Sequence, residues 1–316
     1  MPVFDPKSPQ ALSISTLFVV VLAIGLAIIA LVAVLVIYCI IKFRHRPGDD
    51  TEPQQVKGNR KWEIGWIATP AVLLAGLFVP TLIVMINADP SVARGSQPPQ
   101  IKPDVTVIGH QFWWEYRYPK YGVVSANELH IPVGKQLLFQ IESADVIHDF
   151  WVPQLGRKMD AIPGKPNQLY LQSDVTGLFM GACSEYCGAE HAWMLIRVYV
   201  QSQADFDKWI SQQQQAKAAP TAPSALRGAQ LFQQLPCSTC HAIAGTAANG
   251  QVGPNLTHLN TRDTLGTGIL ENNPANLARW ILDAPSIKPG VKMPNYQQLS
   301  AQQIKDLVAY LEEMNQ

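Results

Sequence analysis

The sequence predicts a multidomain protein in which a two-helix transmembrane hairpin precedes an all-β domain and an all-α domain. Two long apolar segments near the N-terminus predict the hairpin. Short β-rich segments separated by Gly, Pro and Asn follow, and a helical spacing of apolar residues returns towards the C-terminus. At 316 residues, the chain is long enough for two or three domains of about 100–200 residues each.

The predicted membrane anchor occupies residues 1–90 and contains both apolar segments. Residues 17–41 carry no charged side chain, and a helix of that length, rising about 1.5 Å per residue, crosses a hydrocarbon core of about 30 Å. Residues 62–86 contain two prolines and a single charged residue, Glu63, at their start. Prolines are tolerated in membrane helices whose neighbours satisfy the freed backbone groups. We therefore predict two spans.

The distribution of basic residues predicts the orientation of these spans. Only Lys7 is basic before the first span, whereas the segment between the spans holds Lys42, Arg44, Arg46, Lys57, Arg60 and Lys61. Cytoplasmic loops of membrane proteins carry the excess of Lys and Arg. We therefore predict a two-pass protein of the cell (inner) membrane, in contact with lipid, whose two later domains lie on the outer, periplasmic face.

The all-β domain is predicted to span residues 101–201. Many short strands without helical periodicity favour a sandwich or a small barrel, an architecture that hosts many functions. The chain has 24 basic and 24 acidic residues, so it lacks the basic excess typical of nucleic-acid-binding proteins. The candidate strands are residues 105–108, 112–118, 128–131, 136–141, 168–171 and 196–200.

Four of the five cysteines form two close pairs, whereas Cys39 lies in the first span and is interpreted as an ordinary apolar-face thiol. The first pair occurs in Cys183-Ser-Glu-Tyr-Cys187-Gly-Ala-Glu-His191-Ala-Trp-Met194, and His148 precedes it. In an exported domain the cysteine pair alone favours a disulfide. Together with two imidazoles and a thioether it favours copper, because zinc rarely recruits Met and its sites commonly use Cys-x2-Cys spacing.

These residues resemble the motif of subunit II of the haem-copper cytochrome c oxidases. The resemblance implies a cupredoxin-like domain that holds a dinuclear copper A centre, with Cys183 and Cys187 bridging the two coppers. It also implies that the side chain of Glu185 reaches a magnesium ion shared with subunit I, and that residues 158–164 lie near subunit I. The implied copper ligands are His148, Cys183, the backbone carbonyl of Glu185, Cys187, His191 and Met194.

Two further features carry the same resemblance. The aromatic stretch that contains Phe112, Trp113 and Trp114 resembles the family's electron path beside copper A, although some of these rings also suit an apolar core. The family usually has Trp at the first of these positions, where electrons from soluble cytochrome c enter, and this chain has Phe112. Glu63 matches a carboxylate at the mouth of a proton channel into subunit I.

Residues 202–223 are predicted to form a helix, over 205–215, and a linker. The Gln/Ala/Pro-rich composition of residues 212–224 predicts a flexible tether. Beyond it, Cys237-Ser-Thr-Cys240-His241 is the attachment motif of c-type haem, with thioether bonds at both cysteines and His241 as an iron ligand. Zinc sites and thioredoxin-like sites are the alternatives for such a motif. Zinc would need more ligands, yet no later cysteine exists and His258 is the only later histidine.

The surroundings of the motif resemble an all-α class I cytochrome c domain over residues 224–316. In that family a Pro carbonyl, here that of Pro254, accepts the hydrogen bond of the iron-ligating His, and a Met, here Met293, is the second axial ligand. The resemblance also implies that the first and last helices lie close together, here at Gly228-x3-Phe232. Ser300 and Gln303 predict a capping box at the start of the last helix.

The combined features predict subunit II of a caa-type, proton-translocating terminal oxidase, which passes electrons from haem c to copper A and on to subunit I for oxygen reduction. Its predicted partners are the haem-copper subunit I, further membrane subunits, and a donor such as a quinol-oxidising complex, a soluble cytochrome or a cupredoxin. The alternatives are the copper A subunit of a nitric oxide reductase and a copper chaperone. The departure at Phe112, beside a tethered haem domain, predicts that electrons enter at haem c.

Overall fold

The computed structural model describes residues 2–48, 52, 54–55, 57–88, 102–216 and 219–313. Two helices account for the apolar N-terminal segments, α1 (Pro9–Lys42) and α2 (Arg60–Ala88). Both are long and apolar enough to cross a membrane, and none of their most apolar stretch is buried. Pro70 and Pro80 lie inside α2 without ending it. The two predicted spans are confirmed as apolar helices.

Ten strands build the central domain, which we call the β domain (residues 102–201). One five-stranded sheet has the order β3-β2-β1-β5-β8 and the other has the order β4-β10-β9-β6-β7. The β1–β5 and β4–β10 pairs are parallel, whereas the remaining neighbours are antiparallel. The strands are β1 (Val105–His110), β2 (Trp113–Tyr118), β3 (Val123–Ala126), β4 (Glu128–Pro132), β5 (Leu137–Ser143), β6 (His148–Trp151), β7 (Met159–Ala161), β8 (Asn167–Leu171), β9 (Gly177–Cys183) and β10 (Leu195–Gln201).

The core of the β domain lies between the two sheets. Along β10, buried and half-buried residues alternate, as expected for a strand with one face on the core. Trp114, Tyr116 and Phe139 are among its largest fully buried side chains. The six predicted strands are confirmed, although the second begins at Trp113 rather than at Phe112. Strands β3, β6, β7 and β9 were not predicted, because they are short or contain glycine and polar residues.

A helix that follows the β domain packs back onto it. Helix α3 (Gln203–Gln214) is capped by Ser202, whose hydroxyl accepts a hydrogen bond from the backbone N–H of Asp205. Trp209 is buried, and its ring stacks on His130 at 4.2 Å between centroids. The predicted helix is confirmed, and because it is part of the β-domain core, the chain between it and the next helix is only residues 215–222.

The residues that precede the first span also pack on the β domain. The backbone N–H of Lys7 donates to the carbonyl of Gln154 (2.8 Å), and the carbonyl of Lys7 accepts from the N–H of Asp174 (2.9 Å). The Ser8 hydroxyl donates to the carbonyl of Leu155 (2.7 Å). Residues up to Ala11 therefore belong to the same compact unit as the β domain.

The C-terminal domain (residues 223–313) is helical. A pair of two-residue strands, β11 (Thr264–Leu265) and β12 (Leu270–Glu271), is its only sheet among the residues described. Asp283 interrupts the third of its helices ahead of Pro285. The helices are α4 (Pro223–Gln234), the short α5 (Cys237–Cys240), α6 (Pro274–Ile287) and α7 (Ala301–Glu313).

The first and last of the long helices in this domain, α4 and α7, cross closely at Gly228. A Cβ at that position would lie 1.9 Å from the carbonyl oxygen of Asp306, so only glycine allows this approach. Helix α7 begins with the predicted capping box, since the N–H of Gln303 donates to the Ser300 hydroxyl and the N–H of Ser300 donates to the Gln303 side chain. The expected close approach of the first and last helices and the predicted capping box are confirmed.

Candidate functional site

The ends of two paired strands hold the first cluster of candidate ligands. Strand β9 ends at Cys183 and β10 begins at Leu195, and the intervening chain, with Cys183 and Met194, forms what we call the cysteine loop (residues 183–194). Strand β6 lies beside β9 and begins at His148. Because β6 and β9 are neighbours, His148 lies next to the loop although 35 residues separate it from Cys183.

The six predicted copper ligands lie together in the structure. The two sulphur atoms of Cys183 and Cys187 are 3.8 Å apart, too far for a disulfide bond of about 2.05 Å. Around them, Cys183 Sγ lies 4.0 Å from His148 Nδ1 and 3.2 Å from the carbonyl oxygen of Glu185. Cys187 Sγ lies 3.8 Å from both His191 Nδ1 and Met194 Sδ. Two imidazoles, a thioether and a carbonyl are thus arranged around the two sulphur atoms, a donor set that suits copper.

The electrostatics of the cluster favour a thiolate. Hydrogen bonds from Cys187 and His148 lower the pKa of the Cys183 thiol. The pKa of Cys187 is raised by its hydrogen bond to Cys183, by burial, and because its ionisation would place a second negative charge beside the first. Burial opposes the charged imidazolium of His148, yet its hydrogen bonds to Cys183 and Asp145 hold its pKa above the ordinary value. One proton therefore leaves the two thiols readily, and a cation bound by both sulphur atoms would displace the second proton.

Two residues outside the ligand set orient the His148 ring. Asp145 Oδ1 lies 2.8 Å from His148 Nε2, which leaves Nδ1 directed at Cys183. The backbone N–H of Gln111 fixes the other Asp145 oxygen at 2.7 Å. Gly109 gives the ring its space, because a Cβ there would lie 2.7 Å from His148 Cδ2.

The cluster is bordered by acidic residues on the side of the 158–164 segment. Strands β6 and β7 place Asp149 opposite Asp160. Burial, together with the hydrogen bond and charge of Asp160, raises the pKa of Asp149 to about 7. The side chain of Glu185 is exposed. Glu63 lies in the first turn of α2 with its side chain exposed.

A second site lies in the C-terminal domain, where a cavity is lined by both cysteines of the haem motif, His241 and Met293. His241 Nδ1 donates to the carbonyl of Pro254 at 2.7 Å, which fixes the imidazole ring. Gly253 allows the ring to lie there, because a Cβ would come within 2.5 Å of its Cε1.

The rest of this cavity suits an apolar macrocycle with two axial ligands. Its wall is mostly apolar and includes Phe232, Leu256, Leu277, Trp280, Ile281 and Leu307. Met293 lines the cavity together with His241, whereas Met314, the only later methionine, lies outside the described residues. The thiols, the oriented imidazole, the thioether and the apolar wall fit a covalently bound haem c.

The two sites adjoin each other. Gln111, Phe112 and Trp113 of the β domain line the wall of the haem cavity. Trp113 Nε1 donates to the carbonyl of Val252 in the C-terminal domain at 3.2 Å. The next ring along the chain, Trp114, is fully buried and lies 5.8 Å from the His148 ring between centroids. Phe112 and Trp113 thus lie at the haem cavity and Trp114 lies beside a candidate copper ligand, and the electron path through them stays a prediction.

A buried carboxylate adds to the contact between the domains. Glu128 on β4 is 2% exposed and accepts hydrogen bonds from the backbone N–H of Asp263 (3.1 Å) and from the N–H (2.9 Å) and hydroxyl (2.8 Å) of Thr264. Burial raises its pKa in spite of these bonds. Burial also lowers the pKa of the neighbouring Arg262, to about 10. The C-terminal domain is thus docked on the β domain. The two ends of the predicted tether, residues 212–214 and 223–224, lie in helices, and the flexibility of the chain between them stays a prediction.

Several residues of this region were not identified from the sequence. Asp145 and Gly109 act on His148 from separate turns and strands, so no spacing rule connects them. Lys288 and Glu190 form an ion pair between the domains at 3.1 Å, and single charged residues in loops carry no signal of such pairing. The nearest sequence signal was for Asp145, an acidic residue three positions before a candidate metal-ligating His.

Comparison with known proteins gives matches along most of the chain. Family models match in three segments: cytochrome c oxidase subunit II, transmembrane domain, over residues 2–84; its periplasmic domain over residues 123–201; and cytochrome c over residues 225–315. Cytochrome c oxidase subunit 2 of Alkalihalophilus pseudofirmus is 37% identical over 97% of this chain and 89% of its own length. The subunit 2 of Bacillus sp. strain PS3 is 36% identical, over 85% and 79%.

Among solved structures, the periplasmic domain of subunit II of the cytochrome oxidase of Bradyrhizobium japonicum is 34% identical to this chain. The match covers 36% of this chain and 95% of that domain, with a TM-score of 0.34.

Proposed function

We propose that the chain, which belongs to the cytochrome c oxidase subunit II family, relays electrons from an external donor to a haem-copper subunit that reduces oxygen. The electrons would pass through covalent haem c and then through dinuclear copper A. The chain is a two-pass membrane protein with extracellular domains, and its relatives are subunits of an oxidoreductase. Both bound groups would supply one-electron redox chemistry. The observation that carries the proposal is that the two ligand sets lie in adjoining parts of one compact unit.

In the proposed copper site, Cys183 and Cys187 would hold the metal as thiolates. The positions of His148 beside Cys183 and of His191 and Met194 beside Cys187 support the assignment of all three as ligands. A buried, preorganised ligand set changes little between oxidation states, which favours fast electron transfer. Asp145 holds His148 in the orientation that this requires.

In the proposed haem site, Cys237 and Cys240 would attach the haem through thioether bonds, and His241 and Met293 would ligate its iron. The hydrogen bond from His241 to the carbonyl of Pro254 sets which ring nitrogen faces the cavity. The apolar wall would exclude water from the haem, and that exclusion, together with ligation by Met293, would raise the reduction potential of the haem.

The remaining partners belong to the same proposal. The exposed side chain of Glu185 is available to a magnesium ion at the contact with subunit I. Glu63, at the start of α2, is placed in the proposal as the carboxylate at the mouth of a proton channel. A quinol-oxidising complex, a soluble cytochrome or a cupredoxin is the electron donor.

We place the arrival of external electrons at the haem rather than at the aromatic residues over copper. Trp113 is 7% exposed, and Phe112 lines the haem cavity and accepts, through its carbonyl, a hydrogen bond from Lys288 (3.4 Å). The chain's own C-terminal domain therefore occupies the surface on which a soluble cytochrome would otherwise dock. This arrangement gives a steric reason for the loss of Trp at position 112.

Metal and haem content of the full-length protein in detergent tests the proposal. We expect two coppers and one covalent haem per chain, with the electron paramagnetic resonance signature of a coupled copper pair. A single type 1 copper signal, or a Cys183–Cys187 disulfide in copper-loaded protein, would contradict it. Mass spectrometry of the large subunit that co-purifies separates an oxygen-reducing partner from a nitric oxide-reducing one.

The proposed route is tested by truncation after Gln215, which removes the haem domain. We expect normal copper spectra in the truncated protein together with strongly slowed oxidation of the physiological donor. The Phe112→Trp substitution should change turnover little in the full-length chain, where position 112 is covered, and should restore reaction with a soluble cytochrome only in the truncated one. Equal donor oxidation with and without the haem domain would disprove the route.

A further inference from the structure

An ion pair that is almost fully buried connects the cysteine loop to the C-terminal domain. Lys288, which follows α6, places Nζ 3.1 Å from Glu190 Oε2, and the two side chains are only 3% and 2% exposed. Glu190 lies in the cysteine loop, immediately before the proposed copper ligand His191. The pair therefore joins the loop of one proposed redox site to the domain that holds the other.

The hydrogen bonds of Lys288 extend the connection. Its ammonium group also donates to the Thr267 hydroxyl at 2.9 Å and to the carbonyl of Phe112 at 3.4 Å, which uses all three of its protons. The Thr267 hydroxyl lies 2.7 Å from the carbonyl of Trp193, also in the cysteine loop. Glu190 Oε1, in contrast, has no hydrogen-bond partner among the described residues.

This incomplete compensation indicates what the pair contributes. Burying two charges costs more than their attraction returns unless the remaining polar atoms are satisfied, so the pair adds little net stability over an apolar contact. Removal of one partner is different, because it leaves the other charge buried and unpaired. The pair therefore favours one docked arrangement of the domains strongly over any arrangement that separates the two residues.

A second contact fixes the chain that leads to the proposed haem ligand Met293. Gln111 donates from Nε2 to the carbonyl of Cys187 at 2.7 Å, and Lys292 Nζ lies 3.2 Å from Gln111 Oε1. Between the two lysines, Gly290 has a φ of +99° and approaches the cysteine loop so closely that a Cβ would lie 3.2 Å from that of Ala189. We call residues 288–293 the Met293 segment.

We propose that Lys288 and Glu190 are positioning residues that hold the Met293 segment against the cysteine loop, so that electrons cross between the two proposed redox sites in one fixed, docked arrangement. The electron-transfer half of this statement rests on the proposed function, whereas the docking half concerns the polypeptide alone. Because the pair is buried, salt screens it much less than it screens surface charges, and the docked arrangement persists at ionic strengths that separate proteins held by surface charges.

The test uses Lys288→Met in the full-length, haem- and copper-loaded protein. Docking is read from hydrogen–deuterium exchange at the backbone amides of Asp263 and Thr264, which are bonded across the interface to Glu128. We expect exchange at these amides to rise by about 100-fold or more, the change that an unpaired buried charge implies. The matched control is Lys305→Met, which removes an exposed lysine from α7 of the same domain.

A double-mutant cycle with Glu190→Gln keeps the test independent of lost packing. If the ion pair holds the domains together, the double variant should lose clearly less docking free energy than the sum of the two single variants. Each single variant leaves one buried charge unpaired, whereas the double variant leaves none. In parallel, the transfer of an electron injected photochemically at the haem to copper should slow by about tenfold or more in Lys288→Met, with the spectra of both groups unchanged.

Unchanged amide exchange in Lys288→Met, or strict additivity in the cycle, would disprove the docking role of the Lys288–Glu190 pair. Faster amide exchange with an unchanged rate of electron transfer would show that the Lys288–Glu190 pair does not position the redox sites. If the unaltered protein itself showed no transfer between haem and copper, the proposed function would fail, while the exchange data would still decide the docking half.

Discussion

The crossing of α4 and α7 at Gly228 allows one substitution to be worked through from the structure. In Gly228→Ala the new methyl carbon would lie 1.9 Å from the carbonyl oxygen of Asp306 and 2.7 Å from Cβ of Tyr310. Ordinary contact begins at about 3.4 Å, so the helices would have to separate by about 1.5 Å. The first obstacle is backbone, which cannot turn aside as a flexible side chain would.

The size of the effect follows from two opposing contributions. Overpacking of this kind costs about 1–3 kcal/mol, and the rigid partner places this site at the upper end. Alanine in place of glycine favours the helix itself by about 1 kcal/mol. The net loss is about 2 kcal/mol, which for a domain of this size lowers Tm by about 8–16 °C.

Thermal unfolding of the full-length protein, followed in the haem absorption band, measures this change. Gln230→Ala, which places a new alanine on the exposed face of the same helix, is the control and should shift Tm by no more than a degree or two in either direction, about the effect of a neutral surface change. An unchanged or higher Tm in Gly228→Ala would refute the close crossing as the reason for glycine.

Three further predictions concern the proposed sites and the interface. Met293→Ala should retain covalent haem, lower its reduction potential and allow carbon monoxide to bind when reduced, because the second axial ligand is lost; unchanged absorption spectra would exclude Met293. Asp145→Asn should weaken copper binding by about 10–100-fold, because the ring of His148 loses its anionic partner, and an unchanged affinity in a chelator competition would count against this role. Burial raises the folded-state pKa of Glu128 above 4.5, so the folded state holds this proton more tightly than the unfolded state, and stability should fall as pH rises from about 4.5 through the raised pKa. Glu128→Gln should flatten that part of the stability curve, and an equally steep curve would assign the slope to another group.

The sequence was sufficient for the architecture because each part of it has a local signal. The long apolar segments, the alternation along β10 and the helical spacing of Ile304, Leu307 and Leu311 all report their own environment. The ligand motifs are local too, since Cys183 to Met194 and Cys237 to His241 are each contained in a few residues.

What the sequence did not predict depends on contacts between distant segments. The linker composition predicted a flexible tether, yet composition does not report that Trp209 would be buried against His130 or that Glu128 would meet Thr264. Nothing in the sequence around Lys288 or Glu190 indicates that the fold pairs these two residues. Docking between the domains was therefore not predicted from the sequence, because docking is decided by the match of two surfaces.

The pairing of Lys7 and Ser8 with the β domain also constrains how the protein is made. Ser8 and its partner Leu155 are 147 residues apart. During synthesis Ser8 therefore cannot form this hydrogen bond until both membrane helices and Leu155 have left the ribosome. The two groups meet in one compartment, and the chain must therefore cross the bilayer an even number of times between them. Translocation of the short N-terminal flank is thus a precondition for completing the β domain, and a bulky reporter fused ahead of Lys7 should delay its maturation.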